Sequence, residues 1–296
     1  MKIQNVIAMA VLVSATTIFA QDKKQENQNL IEITSTIYML QDQGGNIGLS
    51  FGEDGIFMID DQFARNIEST QATIAAKDKQ PVQFLVNTHH HGDHTGGNIA
   101  MAKTGTVIFS QENVRKRLKT AVDESKTKDG DTSLPMITFS EDMRFHYNGD
   151  TIFVFHVHNA HTDGDAMVYF MDSNVIHTGD VFFNGRYPYI DLKNGGSVLG
   201  YAKALSKLLM LTNEDTKVIP GHGDLATVKD VTFTRDMLLD LHNQISKLYK
   251  AGKTEAEILS VIGITEKYDA LGYGSGFINT ERMVKTVYAD VKKEND

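Results

Sequence analysis

Apolar positions change their period several times along the chain, and each change marks an element. Short β-rich runs cover residues 31–38, 47–51 and 55–59, with turn signals at Gly44-Gly45 and Glu53-Asp54-Gly55. Their alternation is imperfect, as in strands buried on at least one face. Ile67, Thr70, Ile74 and Ala75 then take helical spacing over residues 65–77. Pro81 breaks that helix, and residues 82–86 form a compact apolar strand. Short helices are predicted over residues 95–101 and 111–118, with a strand over 107–109 between them. After a polar loop over residues 122–133, a second β-rich half has strands over 136–139, 143–147, 151–156, 166–170 and 174–176. Residues 197–211 read as an amphipathic helix and 216–219 as a strand. Helices follow over 229–249, 255–262 and 280–291, the middle one opened by a Thr254/Glu257 capping box. Each half is β-rich and then helical, so two facing sheets with helices outside are expected.

Composition adds boundaries to this picture. The 296 residues are 41% hydrophobic and 23% charged, the balance of a soluble globular protein. A formal net charge of -9 gives no long-range attraction to a polyanion. The basic stretch Arg115, Lys116, Arg117 and Lys119 reads as the wet face of a helix, with no aromatic residues interleaved. A small-molecule substrate is therefore expected, and a nucleic-acid partner is not. The chain has no cysteine, which excludes disulfides and thiolate metal sites. At the start, Lys2 precedes an apolar run over residues 6–20, broken only by Ser14, Thr16 and Thr17, and then Gln21-Asp22-Lys23-Lys24. That three-part pattern predicts a secretory signal peptide over residues 1–20. The run is shorter than the ~20 residues a membrane span needs. The expected mature chain, residues 21–296, is one secreted or periplasmic domain with no lasting membrane anchor, helical from about residue 227. The pattern specifies no oligomeric state.

Candidate chemistry concentrates in Thr88-His89-His90-His91-Gly92-Asp93-His94-Thr95-Gly96-Gly97. Imidazole and carboxylate are the donors a divalent cation takes when thiolate is absent. Residues two apart in an extended loop point the same way, so His89 and His91 can grip one ion together. Asp93 continues that spacing and His94 turns to the other side, so one loop can serve two ions. The glycines let the backbone turn sharply beside them. His90 alternates away and is expected behind the ligands or in solvent. Three further glycine-flanked loops at strand ends supply donors: His161-Thr162-Asp163-Gly164-Asp165, His177-Thr178-Gly179-Asp180 and Gly221-His222-Gly223. His146, His156, His158, His177 and His242 stand outside the expected ligand set. Of these, His146 and His242 are expected to be structural or exposed, His158 to sit behind the ligands and His177 to support Asp180.

This ordered set of loops resembles the metallo-β-lactamase superfamily, in which a His-x-His-x-Asp-His signature recurs. The resemblance covers roughly residues 30–250. It implies an α/β fold, a four-layer αβ/βα sandwich with a dinuclear metal site at the sheet edge. It also implies two zinc ions, although iron or manganese suits the same donors. By resemblance, His89, His91 and His161 form the first site, Asp93, His94 and His222 the second, and Asp180 bridges them. The best-known antibiotic-degrading subclass has cysteine where Asp180 stands and a lysine shortly after, and this chain has neither. A second subclass usually has serine there. The superfamily's lactonases often carry tyrosine three residues after the bridging carboxylate, where this chain has Phe183.

The chemistry expected of such a site is hydrolysis of a carbonyl by a hydroxide shared between two cations, one of which polarises the bond under attack. Asp93 is the expected catalytic residue, orienting the hydroxide and relaying its proton. Thr88, Asp163 or Asp165 is expected to fix the imidazole tautomers. Phe63, Phe183, Asn184 and Arg186 are the candidate substrate contacts. Arg186 would hold a substrate carboxylate, and Asp60-Asp61-Gln62-Phe63 would form the opposite rim. The leading expectation is a cyclic amide or ester, with β-lactam first among named substrates. Lactone or thioester hydrolysis is the alternative, as in glyoxalase II. A nuclease and a zinc-binding protein without turnover follow.

Overall fold

The computed structural model describes residues 28–126 and 129–296. The signal peptide expected over residues 1–20 lies outside them. No helix among the described residues is long and apolar enough to cross a membrane.

Two sheets form the centre. The first runs in chain order: β1 (Asn29–Glu32), β2 (Ile37–Gln41), β3 (Ile47–Gly52), β4 (Gly55–Ile59), β5 (Val82–Asn87), β6 (Val107–Gln111) and β7 (Ile137–Phe139). β1 to β4 pair antiparallel, and β4 to β7 pair parallel. The second sheet holds β8 (Asp142–Tyr147), β9 (Asp150–His156), β10 (Ala166–Phe170), β11 (Val175–His177), β12 (Lys217–Ile219) and β13 (Ala226–Thr227), again in sequential order. There β11 and β12 are parallel, and the other neighbours are antiparallel. Helices α1 (Ile67–Lys77), α2 (Gly92–Thr95), α3 (Asn98–Lys103) and α4 (Glu112–Ser125) belong to the first half. The second half carries α5 (Val198–Leu211), α6 (Val228–Lys250), α7 (Glu255–Leu259), α8 (Glu266–Asp269) and α9 (Thr280–Asn295).

The strand residues sort by parity into three apolar layers, which makes the sandwich four layers thick. Leu49, Met58, Leu85 and Ile108 face outward and pack on Ile67 and Ile74 of α1 and Met101 of α3. Their neighbours Phe57, Ile59, Val86 and Phe109 face inward and meet Ile152, Val154, Val168 and Phe170 of the second sheet. The other face of that sheet, through Phe155, Met167 and Ile176, packs on α5, α6 and α9. Period-two alternation is what puts successive side chains on opposite faces, so the central strands of both sheets bury both faces, whereas the edge strand β8 alternates between exposed and half-buried positions. Phe57 sits at the centre, its ring 5.3 Å from Phe145, 5.8 Å from Phe109 and 6.3 Å from Phe170.

This topology decides where the polar loops emerge. β4, β5 and β6 are mutually parallel, so their C-terminal ends share one edge. β9 and β11 both oppose β10, and β12 follows β11, so those three also end together. The loops after β4, β5, β9, β11 and β12 carry the polar residues singled out above.

Four elements differ from expectation. The helix predicted over residues 111–118 continues as α4 to Ser125, into the polar loop expected from residue 122. The strand predicted over residues 31–38 is a hairpin bend between β1 and β2. There Thr34 Oγ1 accepts from the backbone N–H of Thr36 and Ile37, the local competition typical of threonine in turns. The helix predicted over residues 95–101 is two short helices interrupted at Gly96-Gly97. The helix predicted over 255–262 stops at Leu259.

Candidate metal centre

The first loop begins where β5 ends. Thr88 to His90 bend away from β5, His91 is extended, and α2 then makes a single helical turn closed by Thr95 N–H on the His91 carbonyl at 3.1 Å. His89 and His91 bring donor atoms within 4.8 Å of each other, although the loop between them bends and is not extended as expected. Asp93 does not continue their spacing: it and His94 lie on the helical turn, which aims them to the neighbouring position. The neighbouring strand β4 is followed by Asp60 and Gln62, both at φ 60°. Left-handed backbone at two non-glycine residues is strain, of the kind concentrated at functional sites. Here it turns the Asp60 side chain under the His94 ring.

The distant loops converge on this one. Donor atoms of His89, His91, His161 and Asp180 lie within 4.8 Å of one another, as do those of Asp93, His94 and His222. Asp180 stands between the two groups. Its Oδ2 is 3.7 Å from His89 Nε2 and 3.5 Å from His161 Nε2. Its Oδ1 is 3.1 Å from His94 Nε2 and 3.4 Å from His222 Nε2. Asp93 Oδ2 is 3.3 Å from His222 Nε2. Two glycines make this approach possible. A Cβ on Gly221 would overlap Asp180 Oδ1, and one on Gly45 would overlap the His94 ring.

The outer nitrogen of four imidazoles is tied to a fixed partner. His89 Nδ1 meets Thr88 Oγ1 at 3.1 Å, and that hydroxyl donates to Asp60 Oδ2 at 2.7 Å, so His89 is the donor. Asp60 Oδ2 also takes His94 Nδ1 at 2.7 Å. His161 Nδ1 donates to the Tyr189 carbonyl at 2.7 Å, and His91 Nε2 to Asp191 Oδ2 at 3.0 Å. In each ring the remaining nitrogen faces the cluster, His161 Nε2 and His91 Nδ1 lying 2.9 Å apart, and fixing the outer nitrogen is the arrangement that prepares imidazole for a cation. Buried His89 Nε2, His94 Nε2 and Asp180 Oδ1 make no hydrogen bond. Unpaired buried polar atoms are costly, and inward-facing nitrogen and oxygen donors fit divalent cations.

The electrostatics are those of a tight anion–imidazole cluster. Burial raises the Asp180 carboxyl, but His94, His222 and His89 outweigh it and hold it well below the usual range. Burial lowers His94, yet Asp180 and Asp60 hold it well above its ordinary value. His89 is driven well below its ordinary value by burial and by His94. His222 is carried against burial to about 9 by Asp180 and Asp93. Asp93 is lowered despite burial by its hydrogen bond with His222 and by His94.

The sequence-predicted supporting residues fare unevenly. Thr88 holds His89 as expected. Asp163 instead pairs with Arg117 in a bidentate contact at 2.6 and 2.7 Å, and Asp165 caps Thr162. Arg117 thereby leaves the wet face of α4. His158 is exposed and pairs with Glu141, and His177 meets the Asn46 carbonyl and the Gly179 N–H rather than Asp180. Asp60, expected at the rim, is fully buried beneath His94. Phe63, Phe183 and Arg186 line the cleft over the cluster, whereas Asn184 lines the adjoining polar groove and donates to the Asp224 carbonyl at 3.0 Å. Sequence reasoning missed Asp191, Tyr189, Phe277 and Ile278. They lie on irregular segments with no motif, and only the fold brings them here.

The family profile of the metallo-beta-lactamase superfamily matches residues 59–222, more than half of the chain. The chain belongs to this superfamily. Its fold agrees: a metallo-beta-lactamase from Pontibacter korlensis superposes with a TM-score of 0.61 at 19% identity, over 72% of this chain and 99% of that one. The sec-alkylsulfatase Pisa1 from Pseudomonas sp. gives 0.68 at 16% identity, over 88% of this chain and 50% of its own. Among curated superfamily proteins, the mitochondrial hydroxyacylglutathione hydrolase of Saccharomyces cerevisiae is 26% identical over 67% of this chain and 60% of its own length. Hydroxyacylglutathione hydrolase GloC of Haemophilus influenzae is 29% identical over 50% and 71%, and the Polaromonas sp. hydroxyacylglutathione hydrolase 29% over 57% and 59%. The chain thus spans about 60% of the length of the yeast and Polaromonas relatives.

Proposed function

We propose that this superfamily member hydrolyses an ester or thioester carbonyl at a pair of divalent cations, zinc in the first instance. The observation that carries the reading is Asp180, whose two carboxylate oxygens face separate groups of imidazoles. Relatives named as hydroxyacylglutathione hydrolases support a thioester ahead of the β-lactam expected first.

Divalent cations bound by these donors supply Lewis acidity and lower the pKa of water. The protein's own part is positional. His89, His91 and His161 would hold one cation, Asp93, His94 and His222 the other, with Asp180 between. Asp93 is partly open to the cleft and ionised at neutral pH. It accepts a hydrogen bond from the attacking water and fixes its direction; its depressed pKa suits an acceptor rather than a proton store. The water oxygen bonds to the acyl carbon, the C–S or C–O bond breaks, and the leaving group departs with a proton. Phe183 stacks on His222 at 4.9 Å and 18°, which fixes that ring and keeps water from its outer face.

The test is a substrate panel on zinc-reconstituted protein: a hydroxyacylglutathione thioester, a lactone and a chromogenic cephalosporin. Turnover of the thioester or lactone is expected, with Asp93→Ala lowering kcat on the order of 10²–10⁴-fold. Preferential cephalosporin turnover would replace this reading with the β-lactam one. No turnover with two zinc ions bound would leave a binding protein or a nuclease.

A further inference from the structure

We propose that the cleft above the donor cluster receives an apolar acyl group, aryl or medium-chain alkyl, and that Phe277 and Phe63 set this preference. The proposal rests on the hydrolase reading and narrows its substrate.

The cleft encloses about 460 Å³, within the range of small-molecule sites. His91, Asp93, Asp180 and His222 form its floor. Its walls are Phe63, Phe183, Tyr189, Phe277 and Ile278, and Arg186 is the one lysine or arginine among its lining residues. Tyr189 lies 5.8 Å from the His91 ring and 5.6 Å from the His161 ring, so the aromatic wall reaches the reacting position.

Each of the two rim phenylalanines has an arginine guanidinium against its ring. The Arg65 guanidinium lies 4.0 Å from the centre of the Phe63 ring. That of Arg282 lies 4.9 Å from the Phe277 ring, and its Nη1 donates to the Phe277 carbonyl at 2.8 Å. Phe277 meets Tyr189 edge-on at 6.1 Å and remains 74% exposed on its other sides.

The segment bearing Phe277 is tied to the catalytic loop. Tyr187, seven positions after Asp180, donates its hydroxyl to Asp269 Oδ1 at 2.9 Å, and Thr280 donates to the same oxygen at 2.7 Å. The C-terminal strap is thereby fixed over the floor.

A small hydroxyacyl group leaves these walls wet. An apolar acyl chain covers them and removes its own surface and theirs from water. Its carbonyl then meets the floor, and Arg186 takes at most one carboxylate. Several methylenes against such a wall are enough for discrimination of about tenfold or more.

The experiment compares octanoyl, phenylacetyl and acetyl thioesters of one small thiol on zinc-loaded protein. The expected result is kcat/KM for the two apolar acyl groups about tenfold or more above acetyl. Phe277→Ala and Phe63→Ala should each collapse that ratio, and Met210→Ala, an exposed apolar residue outside the cleft, should keep it. Equal kcat/KM for all three acyl groups, or an unchanged ratio in both variants, overturns the proposal. If none of the three thioesters is turned over, the thioester reading fails separately, and the lactone arm of the substrate panel still tests the hydrolase reading. Calorimetric binding of octanoate then decides the cleft assignment: weaker binding in Phe277→Ala sustains it, and equal binding overturns it.

Discussion

Asp60 touches no substrate, yet one of its oxygens holds both His94 Nδ1 and Thr88 Oγ1, and through Thr88 it reaches His89. Asp191 does the same for His91 from an irregular segment of the second half and is itself fixed by Asn194 at 2.6 Å. Asp60→Asn and Asp191→Asn are each expected to weaken divalent-cation affinity by about 10–100-fold, measured against a chromophoric chelator. Cation binding should also release protons. His222 has a pKa of about 9 in the cation-free cluster, so at neutral pH it carries a proton that a cation must displace. Affinity should rise with pH as His222 and His94 lose their protons, and fall toward acid. Titrations at pH 7 in buffers of different ionisation enthalpy should show proton release; no buffer dependence would contradict it. At this scale the His-x-His-x-Asp-His spacing made the donors legible. The residues behind them were not, because a lone aspartate on an irregular segment carries no periodic signal.

The elements that matter for the site are strands whose ends coincide. Their placement rests on the inter-sheet layer, where Phe57 is fully buried among Phe84, Phe109, Phe145 and Phe170. Phe57→Ala should cost about 3–5 kcal/mol, read from denaturant unfolding of the cation-free protein. A loss below about 1 kcal/mol would mean that this layer does not hold the sheets together. The central strands could be read from compact apolar runs, because both of their faces are covered and the runs are continuous rather than alternating. The readings failed where a side chain captured the backbone at Thr34, and where Gly96-Gly97 divided one expected helix into two.

For the whole molecule, the donor cluster joins the two halves. His89, His91, Asp93 and His94 follow β5 in the first sheet, and His161, Asp180 and His222 follow strands of the second. A cation that binds only this assembled state stabilises the fold by roughly 4.1 kcal/mol at a thousandfold excess over Kd. Chelation should therefore lower Tm by several degrees, and zinc should restore it, in a scanning fluorimetry comparison. An unchanged Tm would mean the halves hold their relation without the cations. The sequence alone determined the donor types, their grouping into glycine-flanked loops and the β-rich character of each half, because these depend on local spacing and steric freedom. Tertiary structure decided which strand ends share an edge and that Asp60 lies under His94 instead of at the rim. It also decided that a strap some hundred residues after Asp180 puts Phe277 over the cleft. Such contacts depend on the path of the whole chain, and no local pattern encodes them.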